Sequence, residues 1–374
     1  ACRSRTRSCS RTDEGRRQRD FCRKVHSRYR RGKSAFLSLE RGEPCLILAL
    51  DAMGGDHGPS EICKAALLAC EEYSDLELLL VGSEPLIKPL LEKAPSSLAK
   101  RLSIIHTDER IDMDEHPTLA IRKKRNSSMR LAMEMVRSGE ASGCVSSGNT
   151  GAIVAGGVLV VGRISGIDRP AMGVALPTLN KYTFLLDVGA NVRNKPYHLF
   201  QFAHMGNIYS KRILGVTTPQ IALLSNGSED IKGDEVISGA KTLIKESALN
   251  FSGYVEGDDI PYSRADVVVC DGFSGNIVLK FAEGLMTAVA SMLKEEIGHR
   301  ILPKVGMVFM LPMMKDLIAR FHYEKHGGTP LLGVNGAVIK AHGRSKAPAI
   351  VSALRVARNF VKQNGVELIR EELG

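Results

Sequence analysis

The residues best suited to chemistry in this 374-residue chain sit in Val145-Ser-Ser-Gly-Asn-Thr-Gly-Ala152, which leads into an uncharged run, 153–162. Glycines let backbone N–H groups converge on an anion, and a helix that starts there adds free N–H groups and a favourable dipole. The stretch is therefore a candidate phosphate cradle formed by Ser147, Gly148, Asn149, Thr150 and Gly151. Taken alone, it reads equally well as a tight strand-to-helix connection that binds nothing.

The device recurs. Asp51-Ala-Met-Gly-Gly-Asp-His57, Asp187-Val-Gly-Ala-Asn191, Ser225-Asn-Gly227 and Asp271-Gly-Phe-Ser-Gly-Asn276 each follow a short apolar run. Strands are predicted at 45–50, 76–81, 103–106, 143–146, 172–176, 182–186, 220–224, 266–270, 330–334 and 337–340, with helical patterns between many of them and a last helix at 347–372. Alternation of this kind predicts an α/β fold, three-layer α/β/α, on a doubly wound, largely parallel sheet. In open α/β sheets ligands bind at the carboxyl ends of strands, so the polar strand ends are expected to converge on one crevice. No G-x-G-x-x-G occurs at these turns, which argues against a dinucleotide, and no cofactor or metal is expected.

The net charge of +10 invites a nucleic-acid reading, but residues 1–33 hold 13 Lys/Arg and 3 Asp/Glu, and residues 34–374 hold 38 of each sign. The folded body is not a polyanion binder by charge. Residues 1–44 read as a basic, disordered extension, with an organelle-targeting or RNA-binding arm as alternatives, and 45–374 as the folded domain. The eight cysteines include no C-x-x-C pair and fit a reduced compartment. No run reaches the roughly 18 apolar residues of a membrane span. The region 301–321 stands apart, with Met307, Met310, Met313 and Met314 among its apolar residues. A hydrophobic helical hairpin near 290–325 is expected, as a core or dimer element, a membrane-surface segment or an acyl-chain groove.

The chain resembles the PlsX-type phosphate acyltransferases. The resemblance rests on 50–59, Arg122 to Met129, Ser147-Gly-Asn-Thr-Gly-Ala152, 161–170, Leu186 to Val192, Asp271 to Asn276 and Ile339-Lys-Ala-His-Gly343, in order, from about Leu46 onward. It implies a homodimeric enzyme similar in fold to isopropylmalate dehydrogenases and phosphotransacetylases. The implied reaction moves a fatty acyl group from an acyl-carrier-protein thioester to orthophosphate. The implied enzyme is cytoplasmic and peripheral to the membrane surface, and passes its acyl phosphate to a glycerol-3-phosphate acyltransferase. Arg193 departs from the acidic residue expected there.

For that reaction the enzyme needs no nucleophile of its own, because orthophosphate is one. Lys195 or Lys232 would balance the phosphate charge, and Asn191, Asn276 or the Gly275 N–H would stabilise the oxyanion. His342 or His57 would protonate the departing thiolate or orient phosphate, and each is also readable as a structural histidine. Asp51, Asp187 and Asp271, with Gly54, Gly55, Asp56, Gly272 and Ser274, either support the loops or touch substrate. Alternatives are a coenzyme A-using phosphotransacylase, a dehydrogenase on the same architecture and a non-catalytic membrane adaptor.

Overall fold

The computed structural model describes residues 45–179, 181–227, 234–299 and 327–374, with Met310 and Met313. The extension 1–44, Lys232 and all of 301–321 except those two methionines lie outside the described residues.

The chain alternates strand and helix as β1 (Leu46–Asp51), α1 (Gly58–Glu72), β2 (Leu76–Gly82), α2 (Glu84–Leu91), α3 (Ser96–Ala99), β3 (Leu102–His106), α4 (Pro117–Lys123), α5 (Ser128–Ser138) and β4 (Gly143–Ser146). Helix α6 (Thr150–Gly156) follows and continues as a π-helical turn, Gly157–Val161. Next come β5 (Ala171–Pro177), β6 (Tyr182–Leu186), α7 (Pro196–Arg212), β7 (Ile221–Leu224), α8 (Glu235–Lys245), β8 (Phe251–Val255) and β9 (Val267–Val269). The described chain closes with α9 (Gly272–His299), β10 (Thr329–Leu332), β11 (Ala337–Lys340), α10 (Ala347–Lys362) and α11 (Gly365–Leu373). The single helix expected over 347–372 is two, because Asn364 turns into the left-handed region (φ 52°) between them.

Among the described residues eleven strands form one sheet in the order β3-β2-β1-β4-β11-β10-β5-β6-β9-β7-β8. One face is covered by α4, α5, α6 and the start of α9, and the other by α1, α2 and α10 on one half and α7, α8 and α11 on the other. This is a three-layer α/β/α fold, and it explains the central strands: Leu48 and Leu50 face one helical layer while Ala49 faces the other, all three fully buried.

The sheet is mostly parallel but reverses polarity. β10 is antiparallel to both β11 and β5, and β6 is antiparallel to β5, so β6, β9, β7 and β8 run opposite to β1, β2, β3, β4 and β11. Ala49, Cys144, Val338, Leu331 and Met172 pair in succession across five strands. β1, β4 and β11 end two residues past that row, at Asp51, Ser146 and Lys340. From the opposite direction, β6 ends at Leu186, which pairs with Gly173, one residue past Met172. The carboxyl ends of β1, β4 and β11 and, from the opposite direction, of β6 thus come to nearly the same level of the sheet, in two groups of loops separated by β10 and β5. Side-chain alternation puts Asp51, Ser146 and Lys340 on the face of Ala49, Cys144 and Val338, beneath α4 to α6 and α9.

Candidate active site

The first cluster joins the loops after β1, β4 and β11. Ser146 Oγ donates to Asp51 Oδ2 at 2.6 Å, and the Met53 N–H donates to Asp51 Oδ1 at 3.2 Å. Burial pushes the Asp51 carboxyl above its usual range, and hydrogen bonds from Ser128, Ser146, Met53 and Gly54 oppose that. A Cβ on Gly54 would lie 2.8 Å from Asp51 Oδ2 and 2.9 Å from the Gly148 nitrogen, so only glycine lets these two loops touch. Gly55, at φ +80°, faces Ser147 and the Gly343 carbonyl in the same way. Ser147 Oγ donates to the Gly54 carbonyl at 3.0 Å, the Asp56 N–H to the Gly343 carbonyl at 2.8 Å, and the Gly148 N–H to Ser146 Oγ at 3.1 Å. Asp51, Gly54 and Gly55 are thus loop-holding residues, while Asp56 and His57 are exposed.

Asn149 corrects the sequence reading. Its side-chain oxygen accepts from the Ala152 N–H at 3.0 Å, capping α6, and its amide donates to the Met113 and Glu115 carbonyls at 2.9 and 3.2 Å. That amide fixes the 113–115 loop against the cradle and has no proton left for an anion. Among the described residues the backbone N–H groups of 149, 150 and 151 form no hydrogen bond, and Thr150 is partly exposed beside them.

His342 follows β11. Its Nδ1 accepts from the Arg344 N–H at 3.2 Å, which assigns the proton of the neutral ring to Nε2. Burial, then the Lys340 and Arg344 charges, push its pKa below 6.5, while Glu283 and Asp56 pull it up. His342 is a neutral hydrogen-bond donor at pH 7.

The second cluster surrounds the ends of β6 and β9. Asp187 is fully buried and accepts five hydrogen bonds, from the backbone of Met172, Gly189, Ala190 and Asn191 and from the Asn191 amide. Burial raises its pKa and those bonds oppose the rise. The Asn191 amide donates its two protons to Asp187 Oδ2 at 2.9 Å and to the Pro170 carbonyl at 2.7 Å, so Asn191 positions the loop and is no oxyanion donor. Gly275 is corrected likewise, since its N–H donates to the Asp271 carbonyl at 3.0 Å. Asp271 caps α9, accepting from the Phe273 and Ser274 N–H groups at 2.9 Å and from Ser274 Oγ at 2.6 Å. The Gly272 N–H reaches the Asn191 carbonyl at 2.8 Å, and a Cβ there would collide with it.

Asn276 is the donor this cluster leaves available. It is partly exposed, lies over Gly189, and its amide makes no hydrogen bond among the described residues. Lys195 and Arg193 are exposed on the 187–195 loop. No described hydrogen bond joins the two clusters, but α9 spans them. It starts at Gly272, packs Val278 and Leu279 on the sheet, and brings Glu283 near Lys340 and His342, about 10 Å along the helix from Asn276.

The sequence reading missed Lys340. Its signal is a lone lysine closing an otherwise apolar strand, in register with Ser146. The thiols nearest the clusters are inert: burial holds Cys144 at about 12 and Cys270 well above the ordinary thiol range. All five described cysteines are free. Among the described residues no group of three or more His, Cys, Asp or Glu could hold a metal ion.

The model of the family described as "Fatty acid synthesis protein" matches residues 46–368. The phosphate acyltransferase of Heliobacterium modesticaldum is 49% identical over 326 residues, covering 87% of this chain and 97% of that protein. That of Pelotomaculum thermopropionicum is 48% identical over 326 residues, covering 87% and 94%. Among solved structures, a phosphotransacetylase from Streptococcus pyogenes matches with a TM-score of 0.56 at 19% identity, over 85% of this chain and 94% of that one, a likeness of fold.

Proposed function

The chain belongs to the fatty acid synthesis protein family, with phosphate acyltransferases as its relatives, and from that membership we propose that it transfers a fatty acyl group from an acyl-carrier-protein thioester to orthophosphate. A phosphate oxygen attacks the thioester carbonyl, the C–S bond breaks, and acyl phosphate and the free carrier thiol leave. Phosphate sits on the N–H groups of 149–151 with the Thr150 hydroxyl. Asn276 stabilises the oxyanion, and His342, through Nε2–H, donates toward the departing sulfur or a phosphate oxygen. Gly148 and Ser147 keep the cradle in place, and Lys195 meets the substrate from the exposed loop.

The observation that carries this reading is the open N–H turn at 149–151 in a site whose nearest thiols are buried and neutral. An anion-holding turn without an activated nucleophile fits direct displacement and no acyl-enzyme. The test is incubation with labelled acyl-carrier thioester and no phosphate: direct displacement leaves the protein unlabelled, and covalent acyl label contradicts it.

We further place the enzyme as a homodimer at the cytoplasmic membrane surface, supplying acyl phosphate to a glycerol-3-phosphate acyltransferase. Support comes from α9, whose Phe273, Ile277, Phe281, Leu285 and Val289 recur every four residues and are all exposed. By length and composition the stretch Gly272–Leu293 could itself cross a membrane, which the sequence reading did not anticipate. It carries Lys280 and Glu283 in its middle and is anchored at the site by Asp271 and Gly272, which suits an interface better than a span.

A further inference from the structure

Lys340 closes β11, paired with Ser146 on one side and Thr329 on the other. Alternation from Val338, whose side chain packs in the core under α6 and α9, puts the Lys340 side chain on that same face, at the level of Ser146 and Asp51. The residue is only partly exposed. Among the described residues its ammonium makes no hydrogen bond and takes part in no ion pair. Glu283 and Lys280, both on α9, are the charges that act on it, and burial pushes its pKa below the ordinary lysine range.

A partly buried ammonium without a partner costs stability, so it calls for an anion that arrives later. The turn two residues past its strand partner Ser146 presents the open N–H groups of 149–151, and His342 follows two residues after Lys340 itself. We propose that Lys340 is the cation that binds the orthophosphate nucleophile, bridging the 149–151 turn and His342. Glu283 keeps the ammonium turned toward this face and limits how fully the phosphate charge is neutralised. A phosphate held by backbone dipoles and one shared lysine keeps its nucleophilicity, whereas a pair of arginines would quench it. The inference rests on the function proposed above for the choice of orthophosphate as ligand.

The test compares wild type with Lys340→Gln, Lys340→Met and Lys340→Arg in two assays. In the first, inorganic phosphate is titrated and the thermal midpoint is read. In the second, KM values for phosphate and for acyl-carrier thioester are measured separately. The expected result is a phosphate-dependent rise in midpoint for wild type that Gln and Met abolish and Arg partly restores. KM for phosphate should rise about tenfold or more in Gln and Met, with the thioester KM within about twofold. Midpoints without phosphate at or above the wild-type value establish that the variants fold, and Met keeps the apolar stem if Gln does not. Unchanged phosphate binding in Gln and Met, or a rise confined to the thioester KM, overturns the assignment. Wild type that binds phosphate through Lys340 yet turns over no thioester sustains it while refuting the proposed reaction.

Discussion

Ser146 Oγ and Asp51 Oδ2 are 2.6 Å apart, tying the last residue of β4 to the last residue of β1 beneath the candidate phosphate turn. The bond gives a buried carboxylate one of its few donors, and Gly148, which opens the turn, donates to the same hydroxyl. The cradle is set by a buried side chain.

Ser146→Ala is therefore expected to destabilise the fold by about 1–3 kcal/mol, because Asp51 stays buried with one donor fewer. Burial already raises the Asp51 pKa above 3.8. A raised carboxyl favours the fold below its unfolded pKa and loses that advantage as pH rises through the folded value. The penalty in Ser146→Ala should thus be full above the raised folded pKa of Asp51 and shrink as pH falls through it. Urea unfolding of both proteins at several pH values reads it, and a pH-independent penalty would contradict the assignment.

The two asparagines of the second cluster should separate. Asn191→Ala removes an amide bonded to Asp187 and Pro170, and is expected to lower the thermal midpoint together with activity. Asn276→Ala removes an amide with no described partner, and is expected to lower kcat by about a hundredfold at nearly wild-type stability. Calorimetry beside steady-state kinetics distinguishes them.

His342 should titrate below 6.5, since burial and Lys340 both disfavour its charged form. Lys340→Met is expected to raise the midpoint and Glu283→Gln to lower it further, as followed by NMR of the ring. With the folded pKa depressed, the neutral ring's contribution to stability is present above 6.5 and is lost as pH falls through the folded value.

The exposed stripe on α9 is expected to serve association. Phe281→Glu with Leu285→Glu changes side chains that are 68% and 50% exposed, so the monomer fold should survive. Sedimentation should show the dimer dissociating. A dimer unchanged by both charges would remove α9 from the interface.

Much of this molecule was legible in its sequence, for identifiable reasons. Strands covered on both faces appear as short apolar runs, and each ends at a polar turn because the chain must leave the sheet there, as at Asp51, Ser146 and Leu186. The polarity reversal between β5 and β6 was not legible, since strand pairing is a long-range choice without a local signature. Residue types identified Asn149, Asn191 and Gly275 as donors, but not where their protons point. Those protons go to Met113, Pro170 and Asp271, partners 4 to 36 residues away in sequence. Lys340 escaped notice because one lysine at a strand end looks like any solvated lysine until its neighbours are placed around it.

Direct acyl transfer to orthophosphate is read from the release of free carrier-protein thiol from an acyl-carrier thioester, with and without phosphate. Thiol release is expected to depend on phosphate, with acyl phosphate formed in equal amount. Thiol release that is independent of phosphate, or none with phosphate present, would contradict it.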